Sequence, residues 1–224
     1  MDLRLIHPSS HLLCGQSGCG KSTLAAALVR YKHLMFHPVP KHVIWIYSER
    51  VSIPPDLLED NLIDECYEGY ESYQFLRDRV MTHREDGGTL CFFDDALSSA
   101  TLQRDIDRIF YELGHHSRTS FMMATQELYH QNSRYRTAAK QLSNLWLFPS
   151  KRSATEIYSL ARQISPTDFS WIVKAFQDAT ENEAHRYMYF GFHQKSAIVT
   201  KMMTHYLPNE PKPIRCYLKN RTAK

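Results

Sequence analysis

The chain has no apolar run long enough to cross a bilayer and no charged-then-apolar leader, so neither a membrane span nor a targeting segment is expected. Cysteine is sparse. The five (Cys14, Cys19, Cys66, Cys91, Cys216) are odd in number and scattered, and none forms a C-x-x-C pair. That pattern excludes a disulfide framework and a cysteine-built zinc site, and it suits a reducing, intracellular setting. Cys14 and Cys91 lie in apolar strand patterns and read as small buried hydrophobes. A net charge of +3 over 224 residues is too mild to name a nucleic-acid partner by itself. Internal repeats and low-complexity tracts are lacking too. What remains is ordinary globular composition, 43% hydrophobic and 23% charged, enough for one domain with a sizeable core.

Against this background one stretch stands out. Gly15, Gln16, Ser17, Gly18, Cys19, Gly20, Lys21, Ser22 and Thr23 fill the pattern G-x-x-x-x-G-K-[ST]. A short apolar strand (Leu12, Leu13, Cys14) precedes it and an apolar helical pattern follows. Chance supplies these four positions in roughly one chain in a hundred of this length. The loop's backbone N–H groups and the helix N-terminus form a nest for phosphates. Lys21 reaches the β and γ phosphates in such loops, and the Ser22 hydroxyl holds Mg²⁺. The chain is therefore expected to bind ATP with Mg²⁺.

The rest of the chain alternates strands and helices. Leu24, Ala25, Leu28 and Val29 mark one face of a helix over 22–35, and residues 43–47 read as a buried strand. Residues 52–71 hold seven acidic residues and no lysine or arginine, which reads as a solvated loop excursion. A helix is predicted over 72–85 and a third strand over 89–93, ending in Asp94-Asp95. A helix through Leu102, Ile106, Ile109, Phe110 and Leu113 follows, with Ser98 or Ser99 as N-cap. Further strands are predicted at 120–124 and 145–148, with helices near 134–141, 157–164 and 169–176. Residues 187–192 and 197–202 read as a closing β-hairpin. This alternation predicts an α/β fold, a mostly parallel central sheet flanked by helices. The domain is expected over 1–207, with 208–224 as a basic, proline-containing tail.

Hydrolysis needs a held metal and an aimed water. Asp94, at the end of an apolar strand, is the metal-ligand candidate beside Ser22, and Asp95 is the candidate to take a proton from the attacking water. Gln126 ends the next strand. If that strand lies between the loop strand and the Asp94 strand, Gln126 becomes a water-orienting sensor. Arg118, in the segment His115-His116-Ser117-Arg118, is the candidate arginine finger reaching a neighbouring subunit. The histidines themselves share no spacing with other metal ligands and read as solvated.

Taken together, GQSGCGKST, LCFFDDA and SFMMATQ resemble the FtsK/HerA superfamily of ring-forming P-loop ATPases, and most closely the poxvirus-type genome-packaging ATPases. The resemblance covers roughly residues 10–150. It implies a RecA/FtsK-like fold and a homo-oligomeric, hexameric ring that threads double-stranded DNA into a viral capsid and works inside the host cell or with the virion. Capsid proteins, duplex DNA and further copies of the chain are then the implied partners. Carried over by residue, Lys21 and Ser22 match the phosphate and metal ligands, Asp94 and Asp95 the acidic pair, and Gln126 the sensor. Where relatives have Arg-His before the sensor strand this chain has His115-His116, so Arg118 stands in as the finger.

Arg134, Arg136, Lys140, Lys151 and Arg152 are candidate DNA contacts, and the basic tail is a further candidate for DNA or the capsid. Two other function classes stay open: a small-molecule P-loop kinase, and a non-catalytic nucleotide switch. The acid pair with Gln126 suits water activation, and no arginine-rich lid segment is visible, so the translocase reading is preferred.

Overall fold

The computed structural model describes residues 2–48, 53–94, 99–150, 153–181, 185–193 and 201–219, with nothing said of the side chains of 153 and 154. The chain opens with β1 (Leu5–Ile6) and β2 (Ser10–Cys14), then α1 (Lys21–Arg30), α2 (Lys32–Met35) and β3 (Phe36–His37). It continues with β4 (His42–Tyr47), α3 (Pro55–Glu59), β5 (Glu65–Glu68), α4 (Tyr73–Thr82) and β6 (Thr89–Asp94). Next come α5 (Ala100–Arg108), a π-helical turn (Ile109–Leu113), α6 (Gly114–Ser117), β7 (Thr119–Thr125), α7 (Ser133–Lys140) and β8 (Asn144–Leu147). The last elements are α8 (Ser153–Ile164), α9 (Phe169–Thr180), β9 (Met188–Gly191), β10 (Met202–Thr204) and β11 (Arg215–Cys216).

Nine strands form one sheet in the order β11-β10-β9-β8-β2-β7-β6-β4-β5, and β1 pairs separately with β3. The expectation of a mostly parallel sheet needs correcting: the sheet is mixed. Its β8-to-β5 half is parallel, because a crossover longer than a tight turn separates each successive pair. From β8 outward every pairing is antiparallel. The expected hairpin is partly met. β9 pairs with β10 through Met202↔Phe190 and Met203↔Tyr189, and residues 197–200 of the expected second arm lie outside the described residues.

Alternation along the strands sorts side chains to two faces. Leu12, Ile46, Phe93, Phe121 and Leu145 point into a core built with α4, α5, α7, α8 and α9. Leu13, Trp45, Phe92, Met122 and Trp146 point into the opposite core with α1, α2 and α3. Strands buried on both faces carry apolar runs, as residues 12–14, 90–93, 121–124 and 145–147 do within β2, β6, β7 and β8.

Three local departures have visible causes. The helix expected over 22–35 breaks at Tyr31 (φ −102°, ψ 23°), giving α1 and α2. Ser99 is the N-cap of α5, accepting from Leu102 N at 3.3 Å, but the helix widens into the π-helical turn before α6. The acidic stretch hides structure: Ile53, Leu57 and Tyr70 are buried, and Glu65–Glu68 is the edge strand, pairing with β4. With Glu65 half-buried against His83 and Cys66 and Glu68 exposed, this edge strand has no apolar alternation, which is why the run reads as loop. Residues of the proposed tail also join the fold. β11 pairs with β10, Arg215 bonds Asp178 at 2.8 Å, and Lys219 bonds Asp168 at 2.7 Å. Arg221 and Lys224 lie outside the described residues.

Candidate nucleotide site

The site lies where β2, β6, β7 and β8 end. β2 stops at Cys14, and the backbone is tied to its neighbour as Gly15 N donates to Thr125 O at 3.0 Å. A Cβ at Gly15 would fall 2.7 Å from both Phe148 Cβ and Cys19 Sγ, so glycine is required for the chain to pass. Gly20 has φ +106° and is the N-cap of α1, a backbone that side-chain-bearing residues seldom adopt. From there Leu24 N donates to Gly20 O at 2.8 Å and the helix begins. No acidic residue occupies its first turn, so nothing within the helix neutralises its positive N-terminal end.

Gln16, Ser17, Gly18 and Thr23 are exposed, while Cys19, Gly20, Lys21 and Ser22 are half-buried. Lys21 Nζ crosses its own loop, donating to Gly15 O at 2.7 Å and Gln16 O at 2.9 Å. The Cys19 thiol is pushed up, chiefly by burial with Lys21 pulling the other way, so it is a poor nucleophile.

Ser22 and Asp94, 72 residues apart, meet here. Ser22 Oγ donates to Asp94 Oδ1 at 3.2 Å and lies 3.3 Å from Oδ2. Asp94 is buried at the last position of β6. A hydroxyl and a carboxylate in contact beside a phosphate-loop lysine are the hard oxygen donors that Mg²⁺ takes, so these residues suit that ion. Asp95, the candidate base, lies outside the described residues, as do Lys151 and Arg152.

β7 lies between β2 and β6, which meets the condition set for Gln126, with Thr125 beside Cys14. Gln126 therefore leaves the sheet next to the loop, exposed to solvent. The turn after it is held from three sides. Thr125 Oγ1 accepts from Glu127 N at 3.3 Å, the Tyr135 hydroxyl donates to Glu127 O at 2.9 Å, and Glu156 Oε1 accepts from Leu128 N at 3.0 Å. Gln163 Nε2 also donates to the Tyr129 hydroxyl at 3.1 Å, a second tie from α8.

Glu156 escapes the sequence reading. Burial raises its carboxyl above the ordinary range, Leu128 N–H pulls it back, and Glu127 adds a further upward push. In sequence it is an acid in the first turn of an apolar helix, indistinguishable from a dipole partner. His185 escapes too: a Cβ on Gly20 would meet its Cβ and Nδ1 at 3.4 Å. Its approach depends on β9 running antiparallel beside β8, which local sequence does not announce.

Arg118 is not brought to this site. It precedes β7, with φ +53°, and its carbonyl accepts from Thr89 N at 3.1 Å. Seven strand residues separate it from Gln126, roughly 26 Å along the sheet. Its side chain is exposed at the opposite edge, beside exposed His115 and His116. Among the DNA candidates, Arg134 is paired with Asp107 at 3.3 Å, while Arg136 and Lys140 are exposed on α7.

No protein-family model and no curated protein sequence matches this chain. Solved structures do. The chain matches the genome packaging NTPase B204 from Sulfolobus turreted icosahedral virus 2 in complex with ATP-γS, at TM-score 0.56 and 13% identity, over 88% of this chain and 96% of that one. The same NTPase in complex with AMPPCP matches at TM-score 0.53 and 14% identity, over 82% and 92%. B204, the DNA-packaging ATPase from Sulfolobus turreted icosahedral virus, matches at 0.53 and 12%, over 83% and 93%. The fold is similar to that of a viral packaging NTPase. At such identities the likeness concerns the fold, and the chemistry has to be argued from the residues here. Among the described residues no helix is long and apolar enough to cross a membrane.

Proposed function

We propose that this chain is an ATP-hydrolysing translocase of the poxvirus-type, FtsK/HerA-like class, which packages double-stranded viral DNA into capsids as a homo-oligomeric, hexameric ring. The observation that carries the proposal is the contact of Ser22 with Asp94 at the head of a phosphate-loop helix, with the strand that ends before Gln126 set between β2 and β6. The fold likeness to packaging NTPases adds support, since two of those structures hold ATP analogues and match over 88% and 82% of this chain.

In this reading the loop amides and Lys21 hold the triphosphate, and Ser22 and Asp94 hold Mg²⁺, which would neutralise phosphate charge when bound. Gln126 orients a water in line with the γ phosphorus. As that water's oxygen bonds to phosphorus, the bond to the β–γ bridging oxygen breaks and ADP leaves. The water's proton passes to the Asp95 carboxylate. Arg118 cannot reach its own nucleotide, so it acts on a neighbour's, which makes the ring a requirement of catalysis. Arg136 and Lys140, with Lys151 and Arg152, track the DNA backbone.

The test is ATP turnover by purified protein with and without duplex DNA, with mass measured in the same buffer. A ring mass and stimulated turnover are expected. A monomer without stimulation, transferring phosphate to a nucleoside acceptor, would favour a P-loop kinase instead.

A further inference from the structure

The phosphate end of the site is bounded by Ser22, Asp94 and Gln126, all on the β6–β7 side of the loop. A nucleotide whose γ phosphate faces those groups must send its nucleoside the other way, toward β8 and β9. The register places the start of β9 at the same edge of the sheet, because Cys14 is level with Leu147 and Leu147 with Met188. His185, three residues before Met188, packs its side chain on the phosphate-loop turn at Gly20. Its φ of +61° is one that non-glycine residues seldom hold, so surrounding structure imposes it.

That structure is the anchor beneath it. Arg186 donates to Glu210 at 3.3 Å and to His205 Nδ1 at 2.7 Å, and the buried Tyr187 hydroxyl donates to Glu210 Oε1. The adjacent cation is thus engaged by Glu210, and what the segment offers the loop is an exposed aromatic ring.

We propose that His185 is the nucleoside contact of this site, stacking on the base of the bound triphosphate. The inference rests on the nucleotide reading above and adds the residue that separates a nucleoside triphosphate from a bare polyphosphate. Every base has a π face, so this contact favours a nucleoside without choosing strongly among bases.

Binding of Mg·ATP and of inorganic tripolyphosphate, each titrated calorimetrically into wild type, His185→Ala and His185→Trp, tests it. Wild type binds both. His185→Ala loses about tenfold in ATP affinity and nothing in tripolyphosphate affinity, and His185→Trp restores ATP binding through its own ring. Equal weakening of both ligands would make His185 a phosphate contact and overturn the proposal, as would unchanged ATP affinity in a folded His185→Ala. If wild type bound neither ligand, the phosphate-loop reading itself would fail, a result distinguishable from either of those.

Discussion

The two ends of the same parallel strands are built for different work. At the carboxyl ends of β2, β6 and β7 the polar groups meet at one place: the half-buried Lys21 and Ser22, the buried Asp94 and the exposed Gln126. At the amino ends the polar groups are buried and spent on one another. His7 Nδ1 lies 2.7 Å from Ser120 Oγ, His11 Nε2 lies 2.9 Å from Ser9 Oγ, and the Tyr189 hydroxyl donates to Asn144 Oδ1 at 2.7 Å. Among the described residues His11 Nδ1 has no hydrogen-bond partner, and burial favours the neutral form of both rings. Ligands collect at the carboxyl edges of open α/β sheets because helix N-termini converge there, and the candidate site lies at that edge. Chemistry at one edge and stability at the other is the separation that experiments can break.

The largest effect is expected for Lys21→Ala, which removes the cation facing the phosphates. ATP turnover should fall to background while the thermal midpoint moves by a few degrees at most, read by a phosphate-release assay beside calorimetry. Arg118→Ala comes next. Arginine fingers are worth about 10³–10⁵ in rate, so turnover of the assembled protein should drop on that scale with ATP binding intact. Mixing Arg118→Ala with Lys21→Ala subunits should recover part of the rate, because one supplies the loop and the other the finger. No recovery on mixing would return Arg118 to the stabilising edge.

Acid probes that edge directly. Burial lowers His7 to about 4, with Arg118 adding to the shift, and His11 to about 3, against 6.5 for an exposed histidine. The unfolded chain therefore takes up protons that the fold refuses. The stability these groups contribute is complete above pH 6.5 and is lost as pH falls toward 4, at about 1.4 kcal/mol per pH unit for each ring. Urea midpoints between pH 7 and 4 should follow that slope, and His7→Gln should flatten it. The smallest effect is expected at Glu156. Glu156→Ala frees Leu128 N and loosens the turn behind Gln126, lowering kcat about tenfold with KM unchanged, while Glu156→Gln, which still accepts a bond, restores most of the rate.

The loop, the strand that ends at Asp94 and the strand that ends before Gln126 were legible because each obeys a local rule: a glycine pattern, then apolar runs. Their neighbours in space were less so. The β7 insertion stayed open in the sequence and the sheet order settles it. The closing hairpin was legible in part, while the antiparallel pairing of β9 with β8 and of β11 with β10 carried no local signal. Glu65–Glu68 stayed hidden because an edge strand needs only one apolar face, and here it carries Glu65, Cys66, Tyr67 and Glu68. Arg118 was legible as an arginine before a strand, yet its distance from its own loop is a matter of strand length. Glu156 and His185 reach the site only by tertiary packing, from α8 and from the chain entering β9, and no local pattern could have announced either.

The central claim is that the phosphate loop and the acid ending β6 serve one metal–nucleotide. Electron paramagnetic resonance of Mn²⁺ titrated with ATP tests it most directly. Wild type should bind one Mn²⁺ per chain in the presence of ATP, and Asp94→Asn and Ser22→Ala should each lose that signal while remaining folded. An undiminished Mn²⁺ signal in both variants would contradict the account.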